Sequence, residues 1–235
     1  MKLEELLRKN ELFSLLHPAE LKKLADMAVP RHLKKGDWLV YAGDEWAYLF
    51  IVAKGNIVAL KESRAGRVLI LLNFGPGEIF WGFSFFRGGT PMPVSLKSVE
   101  DTTVYLWPRK QLLPFLQSNG EMSWQLSCLM VERMQFASDL VEGLAFHPVT
   151  GRLAKLLLER FGENTGEALV RDFTLDDVAA QIGSTREMVC RILYKFADVG
   201  ALQINRTELR IKDRSFLVHA AGFNGDEFPA KPRLS

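Results

Sequence analysis

The sequence predicts an α+β protein: an N-terminal antiparallel β-roll with cap helices, one long helix, and a C-terminal winged helix-turn-helix. Three observations predict it. Short apolar runs punctuated by glycine fill residues 31–108. The stretch from Gly120 to Phe146 reads as a single helix. The run "FTLDDVAAQIGSTREMVCRI" reads as two short helices joined at a glycine, which is the pattern of a helix-turn-helix.

Residues 1–29 form the cap helices. In "HPAELKKLADMAV", Leu21, Leu24, Ala25 and Ala28 fall on one side at helical spacing, and Pro30 follows the end. Downstream, Gly36, Gly43, Gly55, Gly66, Gly75 and Gly77 separate runs such as "YLFIVA", "NIVAL" and "VLILL". Runs of that length between glycine-bearing turns are short strands, and many of them in series make a barrel or roll. "RKQLLPFLQSN" is a short helix.

In the long helix, Met122, Leu126, Leu129, Arg133, Phe136, Leu140 and Gly143 recur with a 4-3-4-3 rhythm. That is the rhythm of a coiled-coil seam, interrupted by Arg133. A helix of roughly 27 residues is about 40 Å long, too long for a small roll to cover. The expected partner is the same helix of a second copy, with Met122, Leu126, Leu129, Arg133, Phe136 and Leu140 as the dimer interface. Packing on its own domain is the other reading. His147-Pro148 interrupts the helix and reads as a hinge. "VTGRLAKLLLERFGEN" is again helical, and "GALQINRTELRIKD" is two short strands around a polar turn from Asn205 to Glu208. The polar, proline-bearing tail, residues 223–235, is expected to be mobile.

Composition narrows the function. Of 235 residues, 48% are hydrophobic and 25% charged, which fits a globular protein with a real core. No run approaches the roughly 18 apolar residues of a membrane span, and "MKLEELLRKNELF" has no signal-peptide pattern, so a cytoplasmic protein without a membrane partner is expected. Two cysteines, Cys128 and Cys190, and four scattered histidines show no ligand spacing. No metal or cofactor is predicted. With no P-loop and no nucleophile–base pairing, an enzyme is not expected.

On the second short helix, Arg186, Glu187, Cys190 and Arg191 share one face, and Lys195 extends it by a turn. Val189, Ile192, Leu193 and Phe196 take the other face, toward a core. The polar group lies at the helix N-terminus, the end that enters a major groove in such motifs. Arginine can donate two bonds to guanine O6 and N7, and glutamate can accept from cytosine N4. Arg186, Glu187, Cys190 and Arg191 are therefore the candidate base-reading residues. Thr174, Thr185, Lys195, Arg206 and Lys212 are candidates for DNA backbone contact. The net charge of +2 is uninformative, and residues 149–222 hold 11 Lys and Arg against 10 Asp and Glu, so any footprint is local. The plainer readings are a solvated helix face and a capping box from Ser184 to Glu187.

With these motifs assembled, the chain resembles the cyclic-AMP receptor protein / fumarate–nitrate reductase regulator family of bacterial transcription factors. The resemblance runs over residues 10–215, with its sharpest matches at "GSTREMVCRIL", "GLAFHPVTGRLAKLL" and the glycine series ending "GPGEIF". It implies a cyclic-nucleotide-binding-like roll sensing an effector (residues 1–118), a dimerisation helix and hinge (119–147) and a DNA-binding domain (148–222). It also implies a homodimer on a TGTGA-like inverted repeat of double-stranded DNA, with RNA polymerase as a further partner. Arg186 and Arg191 would face guanines and Glu187 a cytosine.

The resemblance fails at the phosphate-binding cassette. Nucleotide binders of the family place a glutamate and an arginine where this chain has Gly82 and Met92, and a hydroxyl where it has Ala137, although Ser138 follows. A buried phosphate without a paired cation is costly, so little or no response to cyclic AMP is expected. In place of the cassette stand Phe80, Trp81, Phe83, Phe85 and Met92. These either fill the roll or, with Gly82 and Ser138, line a pocket for an unknown apolar effector. A heme or gas sensor is a further reading, with Met92, His32 or Cys128 as axial ligand. The alternative to DNA reading is a sensor module acting through protein contacts.

Overall fold

The computed structural model describes residues 3–161, 166–170, 173–205 and 207–222. The chain divides into two compact units, Met1–Lys61 with Ile70–Gln135 and Glu62–Leu69 with Phe136–Ser235. Arg206 and the tail 223–235, both singled out from the sequence, lie outside the described residues.

The first unit opens with α1 (Leu3–Lys9) and α2 (Pro18–Met27). Helix α2 ends three residues before Pro30, which already belongs to strand β1 (Val29–Leu33). Then come β2 (Trp38–Val40), β3 (Tyr48–Lys54), β4 (Ile57–Glu62), β5 (Val68–Phe74) and β6 (Ile79–Trp81). A four-residue helix, α3 (Phe83–Phe86), precedes β7 (Ser95–Ser98) and β8 (Thr102–Pro108). Helix α4 (Arg109–Ser118) leads into α5 (Gly120–Phe146). The strands make two four-stranded sheets, in the orders β1-β8-β3-β6 and β2-β7-β4-β5. This is the expected antiparallel roll.

The first sheet is apolar on both faces. Successive strand side chains point to opposite sides, and β3 shows the consequence. Leu49 and Ile51 enter one core with Leu7, Phe13 and Leu24 of the cap segment, whereas Phe50 and Val52 enter the roll interior with Phe74, Leu96 and Val104. The unbroken run "YLFIVA" is thus a strand buried on both sides. Trp107 in the first core satisfies its indole by donating from Nε1 to the Leu24 carbonyl at 2.8 Å.

Helix α5 has the predicted bounds, and of its seam Phe136 is exposed, Leu129 and Leu140 are half-buried, and Met122 and Leu126 are corrected. Met122 and Leu126 are 1% and 3% exposed and belong to the core beneath the cap helices. They are spent on their own chain. Arg133 follows the same side, with Nη2 3.7 Å from Glu78 Oε1 and its guanidinium 5.4 Å from the Phe74 ring centroid, which is why a charge interrupts that rhythm. A second heptad, two residues out of phase, is open to solvent: Trp124, Val131, Met134 and Val141 are 67%, 61%, 69% and 66% exposed. Ser127, Ser138 and Ala145 complete the spacing and are exposed as well.

The second unit holds α6 (Val149–Phe161), β9 (Leu169–Val170), α7 (Leu175–Ile182), α8 (Arg186–Asp198), β10 (Leu202–Ile204), β11 (Glu208–Ile211) and α9 (Arg214–Ala221). The strands form an antiparallel sheet in the order β10-β11-β9. β9 and α9 add to the elements expected from sequence, as α3 does in the roll. One core joins Leu153 and Leu157 of α6, Val178 and Ile182 of α7, Val189, Ile192, Leu193 and Phe196 of α8, and Phe216 and Leu217 of α9.

Candidate nucleic-acid interface

Local sequence sets the two helices at a fixed turn. Thr174 caps α7: its hydroxyl accepts from the Asp177 amide at 3.1 Å, and the Asp177 carboxylate accepts from the Thr174 amide at 3.0 Å, a reciprocal capping box. Helix α7 ends at Gly183, whose φ of 62° is left-handed, a conformation natural to glycine at this position. The Ser184 amide donates back to the Ala179 carbonyl at 2.9 Å. Thr185, rather than Ser184, caps α8 by accepting from the Met188 amide at 3.3 Å. Arg152 of α6 braces the turn from behind, donating from Nε to the Ile182 carbonyl at 2.8 Å and from Nη1 to the His147 carbonyl. Burial lowers its pKa from the ordinary arginine value.

The outward end of α8 presents Arg186, Glu187 and Arg191, all exposed, with Cys190 half-buried between them and Lys195 exposed one turn on. Val189, Ile192, Leu193 and Phe196 are buried. The face is thus divided as the spacing predicts. Arg191 Nη2 donates to Glu187 Oε1 at 2.9 Å, and Arg186 Nη1 to Asp176 Oδ2 at 3.1 Å. Glu187 therefore pairs along its own helix and does not complete a capping box with Ser184. Among the backbone candidates, Thr185 and Lys212 are exposed. Thr174 is exposed too, and in the free chain its hydroxyl donates to Asp177 Oδ2 at 2.7 Å. The strand turn is set by Asn205, whose Oδ1 accepts from the Thr207 and Glu208 amides at 2.9 and 2.7 Å. Sequence reasoning missed Asp176, whose only signal was its place in the first turn of α7.

A model of the cyclic nucleotide-binding domain matches residues 30–119, and a model of the Crp-like helix-turn-helix domain matches residues 151–220. The chain is 26% identical over 224 residues to a CRP-like cAMP-activated global transcriptional regulator of Mycobacterium tuberculosis, covering 93% of this chain and 100% of that one. It is 25% identical over 210 residues to the cyclic AMP receptor protein of Thermus thermophilus, covering 89% and 96%. The chain belongs to the CRP/FNR family of transcription regulators. Its relatives are DNA-binding regulators and not enzymes. In fold, this family member is similar to the c-di-GMP-responsive global regulator CLP of Xanthomonas campestris, with a TM-score of 0.71 at 19% identity, over 83% of this chain and 99% of that one.

In this CRP/FNR protein the predicted effector residues divide between two cores. Phe80 and Met92 are buried in the roll interior, Trp81 and Phe85 in the core beneath the cap helices, and Phe83 is exposed on α3. Phe80 and Trp81 are neighbours on β6 and still touch, their rings stacked with centroids 6.0 Å apart, although each packs mainly into a different core. Ser138 is exposed on α5. Inside the roll the rings pack on one another, with Phe74 and Phe80 centroids 5.0 Å apart and Phe50 6.0 Å from both. Gly82 is more than a missing glutamate: a Cβ there would overlap the Trp46 carbonyl oxygen, so the backbone leaves no room for any side chain. The three residues considered as heme ligands are also apart. Met92 is in the roll interior, His32 is exposed on β1 and bonded to Thr103 Oγ1 at 3.1 Å, and Cys128 is on α5. Among the described residues no group of three or more His, Cys, Asp and Glu could hold a metal ion, and no helix is long and apolar enough to cross a membrane.

Proposed function

We propose that this chain is a homodimeric, sequence-specific DNA-binding regulator that reads a TGTGA-like inverted repeat without depending on cyclic AMP. The observation that carries the reading is the N-terminal face of α8. Two guanidiniums and a carboxylate stand exposed there, on a helix whose opposite face is locked into the core. Arg186 and Arg191 would each take a guanine through O6 and N7, and Glu187 would accept from a cytosine N4. Thr185, Lys195 and Lys212, with Arg206, would hold phosphates and set the register.

Helix α5 supports the dimer. Its exposed heptad of Trp124, Val131, Met134 and Val141 is an apolar stripe of the kind two helices cover mutually. Residues 1–118 would sense, 119–147 join the two copies, and 148–222 bind DNA. Relatives are named as cAMP-activated; that property is not carried over. Gly82 excludes the side chain that would hold a ribose hydroxyl, and Met92 replaces the arginine with a buried apolar group. As a DNA-bound regulator the protein would work in the cytoplasm and answer to RNA polymerase.

Selection from a randomised duplex library tests this. The wild-type chain should enrich an inverted repeat with guanines in each half-site. The Arg186→Ala/Arg191→Ala double variant should stay folded and enrich nothing. Equal enrichment by the two would contradict the proposal.

A further inference from the structure

The reading face of α8 is not a bare cationic surface. Both of its arginines are paired with a carboxylate: Arg191 with Glu187 one turn back, and Arg186 with Asp176 on the preceding helix. Glu187 has a use in DNA reading, as an acceptor. Asp176 has none so far. Its neighbour Asp177 is committed to the α7 cap through the Thr174 amide and hydroxyl; Asp176 is the one that reaches across the turn to α8 at 3.1 Å. A carboxylate on a surface that must approach phosphates opposes binding.

We propose that Asp176 is a positioning residue that makes readout through Arg186 selective, by holding the guanidinium neutralised toward phosphate and yielding it to a guanine edge. This rests on the DNA-reading proposal above. A lone exposed arginine attaches to any phosphate. With Asp176 in place, a non-specific duplex offers Arg186 only an exchange of one exposed, screened ion pair for another, which gains little. A guanine offers two parallel bonds in fixed geometry, and the exchange becomes favourable. Specificity is a difference of affinities, so a cost imposed on the wrong partner counts as much as a gain with the right one. The pair also keeps the guanidinium beside the N-terminus of α8, where a base edge would meet it.

The test uses the full chain carrying Asp176→Asn, titrated across a salt series against the selected duplex and a scrambled one. Binding to the scrambled duplex should tighten about three- to tenfold, and to the selected duplex by less than about twofold, so discrimination falls. The salt slope on the scrambled duplex should steepen by about two per dimer as the Arg186 of each copy takes a phosphate. Asp176→Glu should restore most of the discrimination. In an Arg186→Ala background, Asp176→Asn should leave discrimination unchanged. A merely structural role in α7 would lower the melting temperature in both backgrounds and move neither ratio nor slope. Unchanged discrimination and slope in Asp176→Asn, with a wild type that discriminates, overturns the role of Asp176. A wild type that does not discriminate overturns the DNA-reading proposal and this inference with it.

Discussion

Shortening Met134 to alanine should weaken the dimer while leaving each chain folded. Met134 is 69% exposed, so most of its thioether chain is left for a partner to cover. Fully burying such a side chain is worth about 1.5–3 kcal/mol; scaled to the exposed part and allowing for the alanine that remains, the loss is about 1–2 kcal/mol per copy. Two-fold symmetry counts it twice, giving about 2–4 kcal/mol, or a dimer Kd raised about 30- to 700-fold. Met122→Ala is the control. That side chain is 1% exposed within the core beneath the cap helices, so its loss should cost about 2–5 kcal/mol of chain stability and leave the dimer constant nearly untouched. Sedimentation velocity over a concentration series reads the first quantity and thermal melting the second. The reasoning is refuted if Met134→Ala leaves the dimer constant unchanged, or if Met122→Ala splits the dimer without lowering the melting temperature.

Two further substitutions test the supporting geometry. Arg152→Met strips two charged donors from the Ile182 and His147 carbonyls; at about 1.5–3 kcal/mol for such a bond, the urea midpoint should fall clearly, and Arg152→Lys should recover less than half of it. Gly82→Ala places a Cβ against the Trp46 carbonyl and should cost about 1–3 kcal/mol or more by overpacking; adding Met92→Arg to a Gly82→Glu chain should therefore fail to create cyclic-AMP binding by calorimetry.

The second unit was largely legible in the sequence because its local rules agree. Thr174 and Thr185 cap, Gly183 turns, and the apolar spacing of Val178, Ile182, Val189, Ile192 and Phe196 fits a single core. The wing pair β10 and β11 was equally plain. Strand β9 has two residues, too short for periodicity to register. Helix α9 carries a cap at Asp213 and apolar Phe216, Leu217 and Ala220, a helical signal that the sequence does contain.

On α5 the bounds were legible and the exposed face only in part: Phe136 is exposed as the seam requires, whereas Met122 and Leu126 are buried. Two apolar heptads interleave on one helix, Met122-Leu126-Leu129 and Trp124-Val131-Met134. A helix pattern states that both faces are sticky, not which of them the chain's own roll has covered. Arg133 was the available clue, since a charge in an otherwise apolar row marks the side with a partner such as Glu78. The aromatic run was legible as a cluster but not as a layout: Phe80 and Trp81 stack at 6.0 Å, while Phe80 lies in the roll core and Trp81 in the core beneath the cap helices. The backbone approach that makes Gly82 obligatory involves Trp46, a residue distant in sequence.

The most direct test of the account is fluorescence anisotropy of the purified protein on a TGTGA-type inverted repeat against a scrambled duplex, at physiological salt, with and without cyclic AMP. Tight binding to the repeat alone, unchanged by cyclic AMP, is the predicted result. Binding that appears only with cyclic AMP would contradict the argument from Gly82 and Met92, and equal binding to both duplexes would contradict the reading of α8.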